Sequence, residues 1–186
     1  MRADAQKNYD HILAIARTVV LEQGADASLR DLARRAGVGL GTLYRHFPTR
    51  EALLEALLRV SFDELTARAS ELEKSGSAED ALVSWLREIV AFTHNYRGVT
   101  TPMMAAIEDM ESALHGSCVR LRAAGARLLA YAQAQGVART DIDGADLFAL
   151  IAALAWLNDQ PSHGTRADHL FGVIVSAILK NRVSAK

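Results

Sequence analysis

Side chains suited to binding a polyanion are concentrated near the amino end of the chain. Tyrosine, arginine and histidine follow one another at residues 44–46, directly after a stretch that contains three glycines and Thr42. Hydroxyl groups and positive charges are typical ligands of phosphate oxygens. Residues 1–50 contain eight Lys/Arg and five Asp/Glu, a formal charge of +3, whereas residues 51–186 carry a formal charge of −4. This asymmetry suggests that the amino end binds a polyanion.

Two short helices joined by a tight turn are predicted to present these side chains. Ser28 is the expected N-cap of the first helix, with Asp31 three residues later, and this helix ends at Gly37. The second helix is predicted from Leu40 to His46. The apolar residues that hold the two helices together are predicted to be Leu29, Leu32, Ala33, Ala36, Val38 and Leu43. The pattern is a helix-turn-helix, whose second helix fits the major groove of DNA.

The stretch SLRDLARRAGVGLGTLYRHFPTREALLEALL closely resembles the amino-terminal region of the tetracycline-repressor (TetR) family of transcriptional regulators. The resemblance is carried by Ala36-Gly37-Val38, Gly41-Thr42-Leu43-Tyr44, His46-Phe47 and Arg50-Glu51-Ala52-Leu53, and it covers about fifty residues. It implies a homodimer that binds a palindromic DNA operator and acts as a repressor. The family often has serine or threonine where this chain has Gly39, so no side-chain cap and no DNA contact are expected from residue 39.

The resemblance implies DNA-binding roles for nine residues. Thr42 and Tyr44 are expected to bind phosphates through their hydroxyl groups, and Arg50 to bind another at the start of the fourth helix, where the family commonly has a lysine. Arg45 is the best candidate for two hydrogen bonds to one guanine. The remaining expected contacts are Leu40 and Gly41 with bases, His46 with the backbone flank, and Ser28 and Arg30 with the backbone.

Helical periodicity continues through the rest of the chain, and no segment shows convincing strand alternation. We expect an all-α fold of about nine helices. A three-helix DNA-binding domain is predicted at residues 1–49, and a helical effector-binding and dimerisation domain at residues 50–186. The later helices are predicted at Pro102–Leu114, at Ser117–Gln135 and, after the loop Gln160–Gly164, at Arg166–Asn181.

Two apolar helices near the carboxyl end are the predicted dimer surface. Two such helices from each subunit form a four-helix bundle, the usual arrangement in the family that the sequence resembles. An intramolecular core is the alternative interpretation of the same residues. The expected interface consists of Leu147, Leu150, Ile151, Leu154, Leu170, Val173, Ile174 and Ile178.

The resemblance also implies an effector site enclosed by the middle helices. A lining rich in methionine and aromatic residues suits a small apolar or aromatic molecule. The candidates, each of which has plain core packing as its alternative, are Trp85, Ile89, Phe92, Met103, Met104, Ile107, Met110, Leu121 and Trp156. Effector binding is expected to shift the helix that begins at Arg50, to change the separation of the two recognition helices, and so to release the operator.

Enzymatic, metal and cofactor sites are not expected. The sequence contains no nucleophile–base pair or phosphate loop, and His94, His115, His163 and His169 do not form a compact metal-ligand pattern. The single cysteine, Cys118, permits no intrachain disulfide. With no leader and no apolar run of membrane-spanning length, a cytoplasmic protein without a membrane partner is expected. The alternatives are a DNA-binding regulator without a small-molecule effector and a helical enzyme that uses the middle cavity.

Overall fold

The computed structural model describes residues 2–74, 76–96, 98–99, 104–159 and 166–180. Helices account for most of these residues, and the one β-pairing among them is an isolated bridge between Ala138 and Leu179. The predicted all-α fold is therefore confirmed. In chain order the helices are α1 (Arg2–Gln23), α2 (Leu29–Arg35), α3 (Leu40–His46), α4 (Arg50–Leu72), α5 (Ala78–Asn95), α6 (Met104–Glu108), α7 (Ala113–Ala134), α8 (Gly144–Asp159) and α9 (Ala167–Ile178).

The chain forms two compact units, and α4 passes from one into the other. The first unit contains Met1–Ser61 together with Asn95–Gly116, and the second contains Phe62–His94 together with Ser117–Lys186. The first unit thus includes the helix-turn-helix and the first half of α4. The predicted boundary between functional domains at residues 49 and 50 stays a prediction, because compactness alone does not show where DNA binding ends.

Side-chain caps start four of the helices, and the first of them is the predicted cap Ser28. The Ser28 hydroxyl accepts the backbone N–H of the residue three positions later at 3.4 Å, and the hydroxyl groups of Thr49 and Ser77 accept equivalent N–H groups at 3.1 and 3.2 Å. A carboxylate oxygen of Asp143 accepts two N–H groups, at 2.8 and 3.0 Å. Each cap satisfies amide groups that have no partner within the helix.

The prediction of one helix from Pro102 to Leu114 is wrong for the described residues, because the chain turns between α6 and α7. The carboxylate of Asp109 accepts the N–H of Glu111 at 3.0 Å, and the hydroxyl of Ser112 accepts the N–H of Leu114 at 3.1 Å. These local bonds compete with helical hydrogen bonds and close a turn. Consequently α7 begins at Ala113, four residues before the predicted start at Ser117.

The last helix also ends earlier than predicted. At Leu179 the backbone becomes extended, and the residues around it pair with the segment that follows α7. The N–H of Arg139 donates to the carbonyl of Ile178, and the N–H of Lys180 donates to that of Val137, both at 2.9 Å. This pairing ends α9 at Ile178, whereas Asn181 and the predicted loop Gln160–Gly164 lie outside the described residues.

Trp85 is the largest fully buried side chain of the second unit. Its indole N–H donates to the carbonyl of Leu65 at 2.9 Å, so burial leaves no unsatisfied donor. Gly125 lies directly against the indole ring: a Cβ atom at this position would be 2.6 Å from one ring carbon. Phe148 completes the contact, with its ring centroid 6.1 Å from that of Trp85. The core of the second unit therefore depends on a glycine that makes room for a tryptophan.

Candidate DNA-binding site

The turn between α2 and α3 is held by two backbone hydrogen bonds and a left-handed glycine. Gly37 has φ +66°, its N–H donates to Arg34 at 3.2 Å, and the N–H of Val38 donates to Ala33 at 3.0 Å. This is a Schellman ending, which favours glycine because L side chains are strained at positive φ. Buried side chains then pack the two helices together: Leu32, Ala33, Ala36 and Leu43 are 0–5% exposed.

Helix α1 supports both ends of the recognition helix α3. A ring nitrogen of His11 lies 3.0 Å from the carbonyl oxygen of Ala36, at the turn that precedes α3. At the other end, the ring of Tyr9 packs against Phe47 at 4.9 Å and against His46 at 6.1 Å. Phe47 is 2% exposed. The half-buried His46 is thus held between α1 and the end of α3, which fixes its ring at the edge of the outer face.

The outer face of α3 exposes the residues whose chemistry suits DNA. Gly41, Tyr44 and Arg45 are exposed, with the tyrosine at 44%, whereas Leu40 and Thr42 are half-buried. The Nε–H of Arg45 donates to the carbonyl of Gly41 at 3.3 Å, which uses one of the five guanidinium donors within the helix. A second guanidinium edge, formed by the two terminal nitrogens, matches the O6 and N7 acceptors of a guanine.

Gly39 stands at the N-cap of α3 and provides no side-chain hydrogen bond to it. This agrees with the expectation from the sequence. Ser28, by contrast, uses its hydroxyl as the cap of α2. Arg30, on the first turn of α2, is exposed.

Arg50 is partly buried at the start of α4. Its Nη1 donates to the carbonyl of Ala25 at 2.8 Å and lies 4.0 Å from a carboxylate oxygen of Asp26. The sequence does not predict this contact. It joins two residues that are 25 positions apart: Ala25, in the loop before α2, and Arg50, in the first turn of α4. No local sequence signal indicates it.

The two consecutive arginines at the end of α2 are committed to ion pairs. Arg34 and Arg35 both bind the carboxylate of Asp31, at 2.5 and 2.9 Å, and Arg35 also binds Glu22 at 2.6 Å. The hydrogen bond from Arg34 is the main cause that lowers the pKa of Asp31, and the bond to Glu22 is the main cause that raises the pKa of Arg35. These arginines therefore belong to a network that joins α2 to α1.

Comparison with known proteins decides the family. Residues 12–57 match the family model described as bacterial regulatory proteins, tetR family. Residues 77–178, more than half of the chain, match the model described as transcriptional regulator SbtR-like, C-terminal domain. The chain belongs to the TetR family. Both models describe transcriptional regulators, so this TetR-family protein is a DNA-binding regulator of transcription, and the resemblance inferred from its sequence is confirmed.

Solved structures of TetR-family regulators match nearly the whole chain. The regulator SCO0520 from Streptomyces coelicolor is 33% identical with a TM-score of 0.72, and the match covers 93% of this chain and 99% of that one. A TetR regulatory protein from Mycobacterium vanbaalenii is 29% identical with a TM-score of 0.70, over 96% and 99% of the two chains. The repressor KstR2 of Rhodococcus jostii is 34% identical over 89 residues, but the match covers 45% of this chain and only 44% of KstR2.

The candidate effector residues of this TetR-family chain fall into both compact units. In the second unit Trp85, Ile89, Phe92 and Leu121 are buried, whereas Trp156 is 64% exposed and so does not line an enclosed cavity within the chain. In the first unit Ile107 is half-buried and Met110 is 80% exposed. Met103 lies outside the described residues, as does the side chain of Met104. The effector site thus remains a prediction, and the tight packing around Trp85 assigns that residue to the core.

Burial also revises the predicted dimer surface. Leu147, Ile151, Leu154 and Ile178 are 0–5% exposed in the single chain, so they pack in its own core, which was the alternative interpretation. Leu150, Leu170 and Ile174 are half-buried, and Val173 is 50% exposed. Between residues 147 and 157 of α8, the exposed residues are three alanines and one tryptophan: Ala149, Ala152, Ala153 and Trp156.

The described part of the chain holds no group of three histidine, cysteine or carboxylate side chains placed to bind a metal ion. Cys118 is buried, and burial raises the pKa of its thiol. None of the helices in this part combines the length and apolar character that a membrane span requires.

Proposed function

We propose that this TetR-family regulator is a repressor that binds a palindromic operator as a homodimer, with one α3 in each of two major grooves. The observation that carries this proposal is the division of α3 into two faces. Leu43 is fully buried, while Tyr44 and Arg45 on the same seven-residue helix are exposed beside Gly41. An exposed tyrosine and arginine on a rigidly supported helix are suited to a partner rich in phosphate and base edges.

Each exposed side chain has a distinct proposed task. The hydroxyl groups of Thr42 and Tyr44 bind phosphate oxygens and fix the register of the helix on the duplex. Arg45 uses its two terminal nitrogens for a guanine, because its Nε already donates to the carbonyl of Gly41. Gly41 brings the helix backbone close to the neighbouring base, since it has no side chain to intervene. Repression, rather than activation, is supported by the named repressor KstR2, to which the chain is similar.

Dimerisation is proposed through the outward faces of α8 and α9. Trp156 and Val173 are 64% and 50% exposed although both are apolar, and residues 147–158 of α8 contain no charged side chain. Aromatic residues are enriched and charged residues depleted at interface centres. Because dimerisation doubles the number of base contacts, it also makes the spacing of the two half-sites a constraint, near one helical turn or about 34–36 Å.

Release by a small apolar or aromatic effector is proposed through α4. This helix runs from Arg50 to Leu72 and belongs to both compact units, so it connects the helix-turn-helix with the unit that contains most of the aromatic residues. An effector changes DNA affinity only if it binds the DNA-competent and DNA-incompetent states with different affinities. Ile89, Phe92 and Leu121 remain the proposed lining of its site.

Selection of bound fragments from random DNA tests the proposal. Enrichment of a palindromic consensus supports both operator recognition and dimeric binding. Failure to enrich any sequence at physiological salt, or failure to bind any DNA even at low ionic strength, where phosphate contacts are strongest, refutes operator recognition. Effector binding is tested separately by thermal unfolding in a library of small apolar and aromatic molecules: a specific ligand at 100 times its Kd adds about 2.7 kcal/mol to the free energy of unfolding.

A further inference from the structure

Arg50 makes a contact that phosphate binding does not require. Its guanidinium donates from Nη1 to the carbonyl oxygen of Ala25 at 2.8 Å, and its side chain is 34% exposed. The acceptor lies in the loop between α1 and α2, and the donor lies on the first residue of α4. We call residues 2–46, which contain α1, α2 and α3, the reading head. The side chain of Arg50 thus ties α4 to a part of the reading head that is distant in sequence from the turn between α3 and α4.

The loop that carries the acceptor is itself well held. Gly24 ends α1 with φ +82°, and its N–H donates to Val20 at 2.8 Å. Two residues after the acceptor, Ala27 is 8% exposed, and its N–H donates to Gly24 at 3.2 Å. Ser28 then caps α2. A hydrogen bond to this loop therefore attaches α4 to an ordered part of the reading head, because the loop is fixed at both ends.

Two separate attachments between the reading head and α4 restrict rotation more than one does. The covalent connection is the turn at residues 47–49, which contains Pro48. The Arg50–Ala25 hydrogen bond is a second attachment. It joins the start of α4 to the loop that precedes α2, whereas the covalent connection joins α4 to α3. Rotation about the turn must break this bond. The bond is made by a charged donor, a class that is stronger than neutral hydrogen bonds.

We propose that Arg50 is a positioning residue that fixes the angle between α4 and the reading head, and thereby sets the half-site spacing that the dimer accepts. This inference rests on the proposed function, a dimer on two half-sites. One additional base pair moves a half-site by about 3.4 Å and rotates it by about 35°. A reading head held at a fixed angle cannot follow that change, whereas one that rotates about the turn can. The guanidinium has five donors, so the bond to Ala25 leaves others for a phosphate.

The test compares operators whose spacer is native, one base pair shorter or one base pair longer, built from the consensus that the parent protein selects. Arg50→Met keeps the length of the side chain but removes its donors and charge. Arg30→Met is the matched control, because it removes an equal charge from an exposed, proposed phosphate contact. We expect the parent and Arg30→Met to prefer the native spacer by at least about tenfold, and Arg50→Met by less than about threefold. Overall affinity falls in both variants, because each loses a positive charge.

Amide hydrogen exchange in the DNA-free protein provides the second measurement. Amides of residues 25–30 should exchange faster in Arg50→Met than in the parent or in Arg30→Met, because only Arg50→Met removes the bond to the loop. A destabilised fold without a positioning role would lower the unfolding midpoint and leave the spacer preference intact. If circular dichroism shows that Arg50→Met does not fold, Arg50→Gln replaces it.

Two failures are distinguishable. A parent protein that selects no two-part site refutes the proposed dimeric operator and, with it, the spacing role. A parent that selects a two-part site, combined with an Arg50→Met variant that keeps the same tenfold spacer preference, refutes only the role of Arg50.

Discussion

Replacing Gly41 with alanine separates the stability of the fold from DNA binding. Gly41 is exposed on α3, and a Cβ atom built on it meets no heavy atom within 4 Å. The added methyl group therefore causes no clash in the free protein. Alanine favours the helix over glycine by up to about 1 kcal/mol. For a chain of 186 residues, this raises the midpoint of thermal unfolding by up to about 4 °C.

The same methyl group lies where we propose that a base approaches the helix. A disturbed base contact costs about 1–3 kcal/mol of binding free energy, or about 5- to 150-fold in Kd. Gly41→Ala should therefore bind the selected operator more weakly although its fold is at least as stable as that of the parent. Circular dichroism during heating measures the stability, and fluorescence anisotropy with labelled operator measures the Kd.

Gly37→Ala is the control for the effect of a glycine-to-alanine substitution on the stability of the fold. Its site is equally open, but Gly37 has φ +66°, where an alanine costs about 1–2 kcal/mol. This substitution should lower the unfolding midpoint by about 2–8 °C. A Gly41→Ala protein that binds the operator within twofold of the parent Kd would show that residue 41 does not approach DNA. The proposed orientation of α3 would then be wrong.

Four further predictions test the base contact, the dimer and the core. Arg45→Ala should relax base preference at one position and cost about 1–3 kcal/mol of binding free energy, whereas Tyr44→Phe should weaken binding to every sequence alike. Fluorescence anisotropy with operators changed at single positions distinguishes the two effects. Unchanged DNA binding in both variants would contradict the proposed DNA-binding site. Trp156→Glu should give a folded monomer in light scattering, because the side chain is 64% exposed, and a persisting dimer would contradict the interface. Leu154→Ala, at a position that is 2% exposed, should instead cost about 2–5 kcal/mol of unfolding free energy. Gly125→Ala should cost about 1–3 kcal/mol because the new Cβ would lie 2.6 Å from an indole carbon; denaturant unfolding like that of the parent would refute the close packing.

The helix-turn-helix could be predicted from the sequence because its signals are local. Ser28 caps a helix three residues before its amide partner, and Gly37 adopts the positive φ that its position in a Schellman ending requires. The predicted bounds of α3, Leu40–His46, are those of the structure. Each of these features depends on residues within one or two turns, so a short window of sequence contains the necessary information.

Features that depend on distant residues could not be predicted. The end of α9 is set by pairing of Leu179 with Ala138, 41 positions earlier, and the Arg50–Ala25 bond has no local signal either. The burial of four predicted interface residues within the single chain could not be predicted for another reason. Helix α8 is apolar on nearly every side, so its periodicity does not show that Leu154 faces inward while Trp156 faces out.

Effector-driven release, as proposed, does not need a large rearrangement of the first unit. A hundredfold fall in operator affinity corresponds to about 2.7 kcal/mol. Within this unit α4 is held by its buried leucines and by polar contacts that include the bond from Arg50 to Ala25 and a buried hydrogen bond at 3.1 Å from Ser61 to the hydroxyl of Tyr96. Bonds to charged groups contribute about 1.5–3 kcal/mol and neutral ones about 0.5–1.5 kcal/mol. The free energy that the switch requires is therefore comparable to that of two polar contacts, a small part of what holds α4, so a modest difference in effector affinity between the two states is sufficient.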